Sequence, residues 1–309
     1  MHILIATDGS AHSDVAVSLG AQIARATNST PTVLTVIRLK ADQVEADAVL
    51  ARASWLMVSD AANVQSKTRT GNVAEEIVCE ATEGNYDLTI LGMRPRHNLL
   101  ECIQGTTVRQ VLARAPCQVI IAKGKAALPQ RILVCESGAE GTSVLDRFME
   151  RTGELLTPKG EVTILHVMSQ ISSRPGIPGW QLRANAEELM GARVPEGDLL
   201  RREILALQQP RPVPHPKVRH GLVVDEIAAE SQEGDYDLVV IGAPRSEGWQ
   251  SLLLDNLAYQ IIDHVDRPIL ITQRMPADAR LTSRPLSPVR RRGVADKGSV
   301  DRRKSCIGR

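Results

Sequence analysis

Short aliphatic runs alternate with longer stretches of helical periodicity over residues 3–272. This alternation is typical of parallel sheets built from βαβ units, because each parallel strand needs a crossover helix to reach the next. In the first half, strands are predicted at Ile3–Ala6, Val33–Ile37, Val64–Thr68, Leu88–Leu91 and Gln118–Ala122. In the second half, they are predicted at Ile132–Cys135, Val162–Val167, Lys217–Arg219, Leu238–Ile241 and Ile269–Thr272.

The two halves repeat one segment. GNVAEEIVCEATEGNYDLTILG begins at Gly71, and GLVVDEIAAESQEGDYDLVVIG begins at Gly221. Glycine, Tyr-Asp and Glu positions recur together with the apolar ones, which favours duplication over convergence of two amphipathic helices. The predicted fold class is therefore α/β, with two tandem five-stranded parallel-sheet domains at 1–124 and 130–274. The second domain has an enlarged insert at 169–209.

The C-terminal segment differs in composition from the rest of the chain. The whole chain has a formal net charge of +1 and 24% charged residues, values that favour no class of partner. Residues 275–309, in contrast, are rich in Arg, Pro and Ser and poor in large apolar side chains, so they predict a disordered basic tail. The chain has only three Trp, three Tyr and one Phe to stack on bases, which argues against a nucleic-acid partner.

The compartment is predicted from what the sequence lacks. The strand pattern begins at Ile3 with no leader before it, and nowhere do 18 apolar residues run together, so we expect a cytoplasmic protein with no membrane partner. The five cysteines form no Cys-x-x-Cys pair, so neither a disulfide framework nor a thiolate metal site is indicated.

Ligands of doubly wound sheets bind beyond the carboxyl ends of the strands, where helix N-termini can meet phosphate. Asp8 follows the first predicted strand, and Gly92 and Arg94 end the fourth. Gly105 then leads into Thr106 and Thr107 at the start of a helix. Glycine permits close approach of the backbone, and a threonine at a helix start offers a hydroxyl to phosphate. These residues are the candidate binding site.

The spacing of these residues resembles the universal stress protein family, whose phosphate loop reads Gly-x2-Gly-x9-Gly-Ser/Thr. Gly92, Gly105 and Thr106 fall at that spacing, and the resemblance covers about residues 1–273. It implies a domain of the adenine-nucleotide alpha-hydrolase type that binds ATP, with ADP or AMP as alternatives. By the same resemblance, the nucleoside lies beside Asp8 and the backbone of Val36. The ribose and phosphates then lie among Gly92, Gly105, Thr106 and Thr107.

One position departs from this pattern. Pro95 stands where the family has its second glycine, which removes an amide donor to phosphate. The loss of one charge-assisted hydrogen bond costs about 1.5–3 kcal/mol. Arg94, Arg96 and His97 could restore part of that by direct contact, or they could be solvated loop charges. Both readings stay open at this point.

The second copy departs further. Asp255 and Asn256 replace Gly105 and Thr106 at the offset of the repeat, and Ser137 replaces Asp8. A carboxylate where phosphate should bind is disfavoured by like-charge repulsion. We therefore predict that the second half binds no ATP.

The function predicted is a cytoplasmic stress-response or regulatory module that binds an adenine nucleotide in its first domain. It is not predicted to be an enzyme beyond slow ATP hydrolysis, because the sequence shows no base poised to activate water, no metal site and no nucleophile elbow. Mg²⁺ is possible as a companion of the nucleotide, with Asp8 as its evident ligand. The alternative is a nucleotide-free adaptor that binds a protein partner. The glutamates of the repeat, such as Glu80 and Glu230, are expected on a solvated helix face.

Assembly is predicted from two aliphatic strands. Gln118–Ala122 and Pro268–Thr272 would be exposed sheet edges in isolated domains, and such edges invite aggregation. The resemblance implies that these last strands pair within one chain to form an internal pseudo-dimer. A further homodimer is compatible with that arrangement.

Overall fold

The computed structural model describes residues 1–58, 63–93, 106–125, 127–137, 143–157, 159–169, 179–181, 183–192, 194–207, 214–243 and 251–273. The side chains of 40, 106 and 251–256 are not part of that description. The predicted disordered tail at 275–309 lies outside the described residues.

The first half alternates strands and helices along the chain. Its elements are β1 (Ile3–Ala6), α1 (Ala11–Ala26), β2 (Thr32–Ile37), α2 (Gln43–Met57), β3 (Gln65–Thr70), α3 (Val73–Glu83), β4 (Leu88–Gly92), α4 (Thr106–Arg114) and β5 (Gln118–Ala122).

The second half repeats this order with one additional short helix. Its elements are β6 (Arg131–Glu136), α5 (Val144–Thr152), β7 (Glu161–Met168), α6 (Ala186–Gly191), α7 (Pro195–Leu207), β8 (His215–His220), α8 (Val223–Glu233), β9 (Leu238–Gly242), α9 (Ser251–His264) and β10 (Ile269–Thr272). Helices α6 and α7 both lie in the predicted insert at 169–209, between β7 and β8, and α7 corresponds to α2, which stands between β2 and β3.

All ten strands form one sheet, in the order β3-β2-β1-β4-β5-β10-β9-β6-β7-β8. Pairing is parallel within each half and antiparallel between β5 and β10, where Ile120 lies opposite Leu270. The predicted fold class and the predicted pairing of the last strands within one chain are both confirmed.

The junction between β5 and β10 is the centre of a core shared by both halves. Ile120 and Leu270 belong to an apolar cluster on one face of the sheet, and Ile121 and Ile271 belong to the cluster on the other face. Polar contacts cross the junction as well. The Gln118 side chain donates to the Arg147 carbonyl and accepts a hydrogen bond from Thr152 Oγ1 at 2.6 Å.

The outer strands β3 and β8 each carry the same ion cluster. Glu80 of α3 is only 3% exposed; its carboxylate receives Arg69 at 2.8 Å and the Tyr86 hydroxyl at 3.0 Å. Glu230 of α8 is fully buried and makes the same contacts with the matching residues, Arg219 and Tyr236. The expectation of solvated glutamates is wrong at these two positions, because each helix folds back over an edge strand that carries its cations.

The β5–β10 junction can be tested by cross-linking. We expect the pair Ile120→Cys and Leu270→Cys to form an intramolecular disulfide, because side chains directly opposite in an antiparallel ladder have Cβ atoms about 4.5–5.5 Å apart. Reducing and non-reducing electrophoresis of dilute protein measures this. The matched control pairs Ile120→Cys with Ile132→Cys, a buried position on β6 rather than on β10. Cross-linking only between chains, or not at all, would contradict the pairing.

Candidate functional site

The turn after β1 is organised by its own polar groups. Ser10 caps α1 by accepting a hydrogen bond from the Ser13 amide at 3.3 Å, and the Ser10 amide donates to Asp8 Oδ1 at 3.0 Å. The hydroxyls of Thr7 and Ser13 lie 2.9 Å apart. Gly9 adopts a φ of 75°, in the left-handed region that favours glycine. This turn fixes the Asp8 carboxylate at the carboxyl edge of the sheet beside the start of α1.

Asp8 is exposed and ionised. Partial burial opposes its charge, but hydrogen bonds from Ser10 and Ser13 outweigh it and hold the pKa of the Asp8 carboxyl below its ordinary value. A carboxylate with a lowered pKa is a weak base and a good hydrogen-bond acceptor. Asp8 is therefore suited to accept hydrogen bonds from a hydroxyl or amino group of a ligand.

The predicted site residues that the structure describes lie at the carboxyl edge of the first half. Strand β1 lies between β2 and β4, so the turn at Asp8 is flanked by the ends of the strands that carry Val36 and Gly92. Val36 is half-buried, and Thr107 lies half-buried in the first turn of α4. Thr106 begins α4, although its side chain is not described. Arg94 and Gly105 lie outside the described residues, as does Pro95.

Gly92 has a structural explanation of its own. A Cβ at this position would stand 2.2 Å from the carbonyl oxygen of His12, because the end of β4 lies directly against the first turn of α1. Any larger residue would push the strand and the helix apart. Close packing therefore accounts for this glycine, whether or not a ligand also approaches it.

The second half has replaced hydroxyls with a buried acid. The strand registers place Glu136 of β6 where the first half has Thr7, and His166 of β7 where it has Thr35. Glu136 Oε1 accepts a hydrogen bond from the Leu145 amide at 2.7 Å, at the start of α5. Its carboxylate therefore occupies a helix N-terminus of the kind that binds anionic ligands. The second half fills this position with its own side chain.

A second buried acid lies beside it. Glu203 of α7 is 1% exposed, and it pairs with Arg202 at 2.8 Å. Burial, together with repulsion from Glu203, raises the pKa of Glu136 from its ordinary 4.5 to about 7, and burial raises that of Glu203 as well. Sequence reasoning missed both residues. The sequence feature that could have indicated Glu136 is a glutamate at the end of the apolar strand Arg-Ile-Leu-Val-Cys-Glu.

The described residues contain neither a candidate metal cluster nor a candidate membrane-spanning helix. No cluster of three or more His, Cys, Asp or Glu side chains there could hold a metal ion. Of the helices in the described ranges, none combines the length and apolar character needed to cross a membrane.

Comparisons with known proteins agree with the duplicated α/β fold. The sequence model of the universal stress protein family matches residues 1–123 and again 129–273. A universal stress protein from Archaeoglobus fulgidus DSM 4304 has a similar structure, with a TM-score of 0.66, 18% identity, and coverage of 88% of this chain and 98% of its own.

Two other solved structures are similar over different lengths. A protein of unknown function from Pseudomonas aeruginosa PAO1 matches 91% of this chain and 95% of its own, with 17% identity and a TM-score of 0.60. A universal stress protein from Archaeoglobus fulgidus, solved in complex with dAMP, covers 40% of this chain and 98% of its own, with 21% identity and a TM-score of 0.35. Among curated proteins, none matches the sequence.

The buried acid predicts a pH dependence of stability. The folded protein holds the Glu136 proton more tightly than the unfolded chain does, so its contribution to stability is full below about pH 4.5 and is lost as the pH rises to about 7. Glu136→Gln stays neutral throughout. We expect the variant to gain about 2–3 kcal/mol in the free energy of unfolding, relative to the unsubstituted protein, between about pH 5 and pH 8.

Denaturant titrations at the two pH values measure this difference. Glu150→Gln, which removes an exposed carboxylate from the same helix α5, is the matched control and should leave the pH dependence unchanged. Equal pH dependence in Glu136→Gln and in the unsubstituted protein would show that Glu136 does not hold the proton.

Proposed function

Because the chain belongs to the universal stress protein family, we propose that its first half is a binding module for an adenine nucleotide and that its second half has lost this activity. The observation that carries the proposal is the difference between the two carboxyl edges. The first half presents the exposed Asp8 carboxylate, with the buried and paired hydroxyls of Thr7 and Ser13 beside it. The second half places the buried Glu136 carboxylate at the matching position.

The roles of the first-half residues follow from their chemistry. Asp8 accepts hydrogen bonds from ribose hydroxyls or from the base, beside the backbone of Val36. The start of α4, with Thr106 and Thr107, donates to phosphate together with Gly105 and Arg94. Among these groups Asp8 is the carboxylate that could ligate a Mg²⁺ accompanying the phosphates of ATP. ADP or AMP would need fewer of the phosphate contacts.

We propose binding rather than turnover. The hydrogen bonds that lower the pKa of Asp8 make it a poor base for activating water. Nucleotide occupancy would then act as a signal, with slow hydrolysis at most, in a cytoplasmic stress or regulatory response of the kind the family's name describes.

A nucleotide-free adaptor is the second candidate function. The observation that favours it is the contact between Gly92 and α1, which explains this glycine without any ligand. Pro95, which lacks an amide donor, points the same way. Such an adaptor would bind a protein partner through the duplicated fold.

The two candidates predict different calorimetric results on the full-length chain. The nucleotide-binding proposal predicts about one ATP, ADP or AMP site per chain, and at least about a tenfold loss of affinity in Asp8→Ser, since a hydrogen bond to a charged group contributes about 1.5–3 kcal/mol. Asp8→Ser imports the residue that the second half carries at Ser137. The exposed position makes unfolding of this variant a small risk.

The matched control is the reverse exchange, Ser137→Asp, which should leave both affinity and stoichiometry unchanged. A stoichiometry of two nucleotides per chain would contradict confinement of the site to the first half. Unchanged affinity in Asp8→Ser would contradict a binding site at Asp8. Absence of binding at millimolar nucleotide, with no nucleotide released from freshly purified protein, would favour the adaptor.

A further inference from the structure

Helix α2 has two apolar faces, and only one of them is buried. The inner face packs on the sheet and α1 through Ala46, Leu50, Ala53 and Met57. The opposite face carries a second stripe at helical spacing, which we call the outer stripe. Its residues are Val44, Ala48, Ala51, Trp55 and Val58.

The outer stripe is highly exposed. Val44 is 82% exposed, and Trp55 and Val58 are each 74% exposed. These three belong to a set of seven exposed large hydrophobic side chains in the described part of the chain, and Leu39, just before α2, is a fourth member. Such clustering marks an interaction surface, whereas single exposed apolar residues need no explanation.

The fold itself does not require this stripe. Helix α7 occupies the same place between β7 and β8, yet its outward side carries Asp198, Arg201 and Arg202, with Leu205 as an isolated exposed apolar residue. An apolar outer face on α2 is therefore a property of the first half alone.

We propose that the outer stripe packs against the outer stripe of a second copy of this chain, with the two α2 helices antiparallel about a two-fold axis near residues 49 and 50. The side chains are self-complementary in this arrangement. Trp55 of each copy faces the smaller Val44 of the other, and Ala48 faces Ala51, so the backbones can approach closely at the axis.

Charge selects the antiparallel direction. Arg52 and Glu45 lie on the same flank of the outer stripe, near its opposite ends. In the antiparallel pair each Arg52 comes within about one turn of Glu45 in the other copy. Arg52 already holds Asp14 through Nε and one terminal nitrogen, and within the described part of the chain its other terminal nitrogen makes no further hydrogen bond, so it can reach the second carboxylate. A parallel pair would instead place Trp55 against Trp55 and would put Arg52 and Glu45 of the two copies on opposite flanks of the contact.

The size of the stripe sets the strength of the contact. From Val44 to Val58 it spans about 21 Å of helix, which is at the small end of specific interfaces. We therefore expect a reversible dimer with a dissociation constant of about 10–100 µM.

Sedimentation equilibrium of the full-length protein from about 5 to 500 µM tests the association. Val44→Glu and Trp55→Glu should each weaken dimerisation at least about tenfold, because each buries a charge at the contact. The matched control is Leu205→Glu on α7, which should leave the dimer unchanged. Circular dichroism confirms that each variant is folded. A protein that stays monomeric at 500 µM, or a dimer that Val44→Glu leaves unchanged, would overturn the proposal.

A second experiment tests the direction of the helices. Val44→Cys and Trp55→Cys are made separately, with Cys79, Cys102 and Cys306 changed to serine, and are oxidised alone or mixed. In the antiparallel pair, residue 44 of one copy lies about 16 Å along the axis from residue 44 of the other, beyond disulfide reach. We expect a disulfide only in the mixture. Cross-linking of each variant with itself, or none in the mixture, would overturn the antiparallel arrangement.

Discussion

The antiparallel pairing of β5 with β10 is the contact on which the rest of the molecule depends. Each half alone would end in a largely aliphatic edge strand, Gln118–Ala122 or Ile269–Thr272, with unpaired amides and carbonyls. Pairing satisfies those groups and joins two five-stranded sheets into one. Both apolar clusters cross the junction, so the two halves share one continuous core on each face of the sheet. The pairing therefore protects the edge strand of each copy, independent of any ligand.

Once each copy supports the other, its binding edge is free to change. The ion clusters at Glu80 and Glu230 are alike to within about 0.1 Å in their Arg and Tyr contacts, so the scaffold of the two halves is equivalent. The carboxyl edges are not equivalent, because Thr7 corresponds to Glu136 there. The second half therefore retains its scaffold while a buried carboxylate accepts a hydrogen bond at the start of α5. Such a difference is compatible with one fold, because sites lie in loops at one edge and can change without the scaffold.

The architecture was predictable from the sequence because it depends on periodicity and repetition, which are local signals. The order of strands along the chain followed from apolar runs and from the repeat at Gly71 and Gly221, whereas the β5–β10 pairing followed from the family resemblance and the two aliphatic edges. Pro195 is the first residue of α7, where its fixed φ suits a helix start.

Side-chain environments were less predictable, because they depend on contacts between distant segments. Glu80 has the spacing of a solvated helix residue, and only the return of α3 over β3 shows that Arg69 and Tyr86 enclose it. Glu136 and Glu203 lie close enough to repel each other, although one belongs to a strand and the other to a helix far along the chain. Gly92 illustrates this as well, since a motif predicted it as a site residue but did not reveal that α1 packs against it.

The Asp8 turn and α2 are in direct contact, which connects the proposed nucleotide site to the helix that carries the outer stripe. A Cβ on Gly9 would stand 2.9 Å from Val49 Cγ2, so α2 lies against the turn that positions Asp8. A ligand that moves this turn must therefore move Val49 or repack it, and Val49 is half-buried on the inner side of α2, midway along the helix. By reciprocity, any change that nucleotide makes in the dimer constant must equal the change that dimerisation makes in nucleotide affinity. A coupling of about tenfold would require only about 1.4 kcal/mol, which is comparable to repacking one or two methyl groups against the turn.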